Sequence, residues 1–173
     1  MNFKKKKVIG VFIIFGLSFL FHFLYSWFPN TIFSFLFPVN ESIWEHMKLL
    51  FTPFIFYTII EWLFSKDKSK NLLVQLFLIP FISIVLYLAI YLPIFNIIGE
   101  NMAVSIILLF IIICFEQVMS YFLGIAKPIK NEKVYGILGL IITFALFIYF
   151  TYYPPKILLF HDLKDNYYGI KKV

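Results

Sequence analysis

An all-α integral membrane bundle of about five transmembrane helices is predicted by three properties of this 173-residue sequence. Mean hydropathy is +0.91. Only 14% of residues are charged, where soluble domains carry about 25%. The apolar residues gather into runs near the roughly 20 residues that cross about 30 Å of hydrocarbon. In chain order these runs are Val8–Phe28, Ile43–Phe64, Leu72–Phe95, Met102–Ala126 and Val134–Tyr153.

The first run follows Lys4–Lys7 and has the outline of a secretory signal, but the sequence holds no Ala before Ala89 and therefore no A-x-A cleavage site. It is read as an uncleaved first span. Between the first two runs, Thr31–Val39 is apolar but too short to cross, and Pro29 and Pro38 bracket it. This segment is expected to be re-entrant or interfacial. Pro53, Pro80 and Pro93 lie inside spans, where each removes a backbone donor and can kink its helix. A single domain over residues 1–153 is expected, with a tail over residues 154–173 on the outer face.

Charge sets the expected orientation. All 15 basic residues are Lys, which removes the guanidinium forks that read phosphate and base edges and argues against nucleic-acid binding. If Lys4–Lys7 stay in the cytoplasm, ten Lys lie inside, against Lys48, Lys156, Lys164, Lys171 and Lys172 outside. That bias predicts an N-in, C-out protein of the cell membrane. The lone Cys114 permits no intrachain disulfide.

Candidate chemistry concentrates in Asn40–Lys48, where Glu41, Glu45, His46 and Lys48 crowd an otherwise oily chain. With Asn40 as helix N-cap and the helix starting at Glu41, the residues Glu41, Glu45 and Lys48 share one face and His46 points about 100° away from Glu45. Carboxylates at i and i+4 repel unless a cation lies between them, a place for Lys48 or for a divalent metal. The plainer account has Glu41 complementing the helix dipole, Trp44 in the interfacial aromatic belt and Lys48 snorkelling outward.

In the first span, Ser18, His22, Tyr25 and Ser26 fall on one face at a depth similar to that of Glu45 and His46. His22 is thus either a site residue or a histidine bonded to a neighbouring helix. Glu116, with Gln117, Ser120 and Tyr121, makes a polar stripe near the midplane. A charge there costs on the order of 3 kcal/mol, so Glu116 needs a partner, a proton or a wet cavity. Glu61, near the inner end of its span, is assigned a structural role. His161 and Asp162 lie on the same outer side as Glu41–His46, and the tail either folds back over the bundle mouth or stays solvated.

The Asn-Glu-Ser-x-Trp-Glu-His-x-Lys string at Asn40–Lys48, with His22-x-x-Tyr25, Pro154-Pro155, Phe160-x-Asp162 and Tyr168-Gly169, resembles an uncharacterised family of small bacterial multi-pass membrane proteins. These segments cover the two ends of the chain. The resemblance implies a class of protein and transfers no activity.

Three functions remain open. A binding or transport component would use His22, Tyr25, Glu41, Glu45, His46, Lys48 and Glu116 around an outward-facing polar pocket for a small ligand or cation. A metal-assisted enzyme acting on lipid or cell-envelope substrates would draw ligands from Glu41, Glu45, His46, His22, His161 and Asp162, with one carboxylate as general base. An accessory subunit would use the same groups only to cap and glue helices. The expected partners are the lipid bilayer and either a second membrane subunit or further copies of this chain. The H-E-x-x-H zinc motif is absent, since Glu45 precedes His46 with no second His in register.

Overall fold

The computed structural model describes residues 2–66 and 68–171. Asp67 of the expected inner loop and Lys172 of the tail lie outside the described residues. Helices α1 (Phe3–Trp27), α2 (Thr31–Leu36), α3 (Ile43–His46), α4 (Lys48–Phe64), α5 (Leu72–Ile98), α6 (Met102–Ile125) and α7 (Glu132–Tyr152) are followed by a 3-10 turn at Leu158–Phe160. A two-residue hairpin then pairs β1 (His161–Asp162) antiparallel with β2 (Tyr167–Tyr168), His161 opposite Tyr168. Five helical stretches are long and apolar enough to cross a membrane: α1, α3 continued by α4, α5, α6 and α7.

Helices α1, α4, α5 and α6 close a ring, each packed on two others in it, while α7 lies outside on α5 and touches α2. Much of the ring interior is apolar, with a buried polar group around Gln75, Ser83, Glu116 and Ser120. Ile14, Leu50, Phe51, Phe54, Ile79, Ile112 and Ile113 are each no more than 1% exposed, and they belong to one continuous cluster. Outward faces carry Phe12, Ile107, Val118 and Ile141, the surface that lipid covers. Close approach of α5 and α7 depends on Gly136 and Gly139, because a Cβ at either would overlap Leu73 or the Phe77 ring.

The proline effects are local. Pro53 cannot bond the carbonyl of Leu49, and the Ser18 hydroxyl of α1 takes that oxygen at 3.0 Å. One helix thus satisfies the gap a proline opens in its neighbour.

Several expectations are corrected. Helix α1 starts at Phe3 and includes the lysines placed before the span. Its Lys7 is only 4% exposed and pairs with Glu61 at 2.6 Å. The second span begins at Ile43 and not at Glu41. Ser42 is the N-cap, its hydroxyl accepting from Glu45 N–H at 3.3 Å, while Asn40 Oδ1 accepts from Ser42 N–H at 2.9 Å one step earlier. Asn40 shapes the approach and Ser42 starts the helix. Lys48 does not snorkel. It is 1% exposed and points inward, because Glu45 Oε2 receives it at 2.6 Å.

Thr31–Val39 becomes the short helix α2 followed by an extended turn. Asn30 caps it by accepting from Phe33 N–H at 3.0 Å.

Candidate metal centre

Glu41 lies one residue before the helix cap, so the 100° spacing of a helix does not govern it and its carboxylate turns away from Glu45. It meets two imidazoles instead. Glu41 Oε2 lies 3.4 Å from His22 Nε2 and 3.4 Å from His46 Nε2, and the two Nε2 atoms are 3.0 Å apart. One lone-pair atom from each of three residues converges on a point. His22 comes from the C-terminal part of α1, His46 from the last position of α3, and Glu41 from the loop between.

These separations fit a metal. With metal–ligand bonds of about 2.0–2.1 Å and tetrahedral angles, neighbouring ligand atoms sit about 3.3 Å apart. The orientation of His46 is fixed from behind. Its Nδ1 is 2.9 Å from the carbonyl of Ser42, which can only accept, so Nδ1 carries the hydrogen and the neutral ring keeps its Nε2 lone pair free. A backbone carbonyl behind a ligating imidazole is a recurring device of metal sites. His22 has no such support, since its Nδ1 is buried and without a partner among the described residues.

The site is half-buried. Side-chain exposures of 24% for His22, 29% for His46 and 36% for Glu41 leave one side open. A cavity of about 80 Å³ adjoins it, walled by Tyr25, Ser26, Pro38, Asn40 and the faces of His22 and Glu41. The two imidazoles hold the Glu41 carboxyl well below the usual carboxylate range, against the opposing effect of its partial burial. The group is an anion at neutral pH, the form that ligates.

The tail braces this loop. Asp162 is 2% exposed, and its Oδ2 accepts from the backbone N–H of Glu41 at 3.0 Å. Its Oδ1 accepts from Lys164 and Asp165 N–H at 2.9 and 3.0 Å. Next to it, Asn40 Nδ2 donates to the Gly169 carbonyl at 2.9 Å. The tail therefore folds back over the bundle mouth.

The remaining expected site residues lie elsewhere. Glu45 and Lys48 form a sealed unit in which Thr151 Oγ1 donates to Glu45 Oε1 at 2.7 Å and Val39 N–H donates to Oε2 at 3.1 Å. The Lys48 ammonium also reaches the Ser34 carbonyl and Thr151 Oγ1, both at 2.8 Å. Every bonding direction is taken, so the pair joins α4 to α7 and the α2 segment and offers nothing to a ligand. His161 stacks on Tyr168 and its Nε2 is 3.0 Å from Asn166 Oδ1, away from the triad. Glu116 lies deep in the ring, 0% exposed. The sequence grouped His22, Glu41 and His46 in one candidate pocket, but helical spacing set Glu41 beside Glu45 and turned His46 away from them. Asn40 and Ser42 are equally good helix caps, so the sequence did not choose between them; capping by Ser42 is what releases Glu41 toward the two imidazoles.

The fold and this pocket define a small multi-span helical protein with a candidate metal-ligating triad at one end of its bundle. The chain belongs to the family of unknown function DUF6512, whose model matches residues 1–170. No curated protein matches it, and no solved structure does.

Proposed function

We propose that this protein is a cation-binding component of the cell membrane that holds one divalent transition-metal ion, of the zinc class, at His22, Glu41 and His46. The observation that carries the reading is the convergence of three ligand atoms at 3.0–3.4 Å. Two imidazoles and a carboxylate suit a borderline-soft ion and are poorly matched to calcium or magnesium, which take oxygen ligands. Lys-rich loops at the opposite end of the bundle support an outward-facing triad, N-in and C-out.

The test is zinc titration of the detergent-purified protein by calorimetry, with elemental analysis. One equivalent should bind to wild type, and His22→Ala, His46→Ala and Glu41→Gln should each lose it while keeping their helical circular dichroism. Zinc binding that survives in all three variants would overturn the reading, as would a wild type that takes up none.

A specific observation favours a second reading. The protein supplies three ligands and a cavity adjoins them, the arrangement that leaves an open coordination position for water. A metal bound there would lower the pKa of that water and support hydrolysis of an ester or amide at the membrane surface. Zinc-dependent turnover of a short-chain ester, lost in Glu41→Gln, separates an enzyme from a binder.

A further inference from the structure

Four acidic side chains are buried among the described residues: Glu45, Glu61, Glu116 and Asp162. Three are compensated. Glu45 has Lys48 and Glu61 has Lys7, each at 2.6 Å, and Asp162 accepts three backbone N–H groups. Glu116 has nothing. Both its oxygens are buried without a partner among the described residues. The Ser83 hydroxyl of α5 is within hydrogen-bonding reach, yet neither group completes a well-aligned bond.

The helices packed on α6 supply no counter-charge. From α1 comes Lys7 and from α4 Glu61, already joined to each other. From α5 come the neutral Gln75, Ser83, Tyr87 and Tyr91. A carboxylate in such a place requires a positive partner. We infer that Glu116, with Ser83, is a buried binding site for one small monovalent cation, either sodium or a proton, separate from the outer triad.

A hydrogen-bonded chain of polar side chains runs beside this site toward one end of the bundle. Ser120 lies one helical turn from Glu116 on the same face of α6. Its hydroxyl accepts from Lys7 Nζ and donates to Gln75 Oε1, both at 2.8 Å. Lys7 continues to Glu61, the Glu61 carbonyl to the Ser65 hydroxyl, and Ser65 to the Lys6 ammonium at 2.8 Å. That chain reaches the end of the bundle opposite the triad. In the other direction, Ile112 and Ile113 are 1% and 0% exposed within the apolar core beside Leu50 and Phe54. The hydrogen-bonded chain beside the site therefore runs toward the Lys7–Glu61 end.

The experiment uses the full chain in detergent. Unfolding midpoints are measured in sodium, potassium and choline chloride at equal ionic strength, and infrared spectra are recorded for the carboxylic-acid carbonyl band in H2O and D2O. A sodium site raises the midpoint by about 3–5 °C for each tenfold increase in sodium above saturation, and Glu116→Gln abolishes that rise. A proton site shows no sodium effect but a carboxylic-acid band that shifts in D2O and is missing from Glu116→Gln. Ser83→Ala supplies the same comparison if Glu116→Gln does not fold, through a weaker sodium effect or a displaced band. Sodium-independent stability together with no acid band assignable to Glu116 would overturn the inference.

Discussion

The imidazoles of His22 and His46 face each other Nε2 to Nε2 at 3.0 Å although they are 24 residues apart and stand on separate helices. Two bare lone pairs do not attract, so one ring must donate a hydrogen or a cation must lie between them. The Ser42 carbonyl already holds the His46 hydrogen on Nδ1. In the metal-free protein a neutral His22 therefore donates from Nε2, and to ligate through that atom its ring would take the tautomer that carries the hydrogen on Nδ1.

Metal binding should accordingly be strongly pH-dependent. An imidazole ligates only in its neutral form, so protons compete with the ion for both rings. Zinc affinity measured by calorimetry is expected to fall by at least about tenfold per unit as pH drops below 6. An affinity unchanged between pH 7 and pH 5 would count against two histidine ligands.

Stability should show an acid limb from Glu41. Its carboxyl is depressed in the folded protein relative to the ordinary value of 4.5, so its contribution is fully present above about pH 4.5 and is lost as pH falls through the lower folded value. The difference in unfolding midpoint between wild type and Glu41→Gln therefore shrinks as pH falls below 4.5. A difference that grows below pH 4.5 would contradict the geometry.

Lys48→Met should be among the most damaging substitutions. It leaves Glu45 buried and ionised without its partner, at a cost of about 3–5 kcal/mol. The double variant Glu45→Gln/Lys48→Met removes both charges and should recover part of that loss. Denaturation in mixed micelles measures the three variants, and simple additivity would mean that the pair is not coupled.

Asp162→Ala tests the tail as a brace. Loss of its bond to the Glu41 N–H frees the ligand loop, and zinc affinity should fall by about 10–100-fold, as when outer-shell partners are removed. Helical content should change little, because Asp162 touches no spanning helix through a hydrogen bond.

Glycines give a paired control. Gly139→Leu forces a side chain into the Phe77 ring and should destabilise the α5–α7 contact by about 1–3 kcal/mol. Gly16→Ala meets nothing within 4 Å and gains helix propensity, so its midpoint should hold or rise.

Much of the bundle was legible because spans announce themselves by length and hydropathy, and the five runs correspond to the five long helical stretches within a few residues at each end. The site was less legible for a reason of geometry. Helical spacing relates residues inside one helix, whereas Glu41 stands outside it and His22 belongs to another. For Lys48 the spacing offered two readings, a cation beside the carboxylates or a snorkelling lysine; the structure pairs it with Glu45, while the Ser34 and Thr151 oxygens that complete its shell come from segments no helical spacing relates to it. Lys7 was counted only among the lysines flanking the first span, its partner Glu61 being 54 residues distant.

The bonds from Asn40 to Gly169 and from Glu41 to Asp162 carry a consequence for biogenesis. All three ligands and the loop between the first spans emerge early in synthesis, but the residues that hold that loop in place emerge after the fifth span. A chain arrested after its first two spans would display His22, Glu41 and His46 without the brace that sets their spacing. Full affinity for an ion would thus arrive only after all five spans are inserted and the hairpin has closed, and a shorter nascent chain would compete for metal less well than a folded copy.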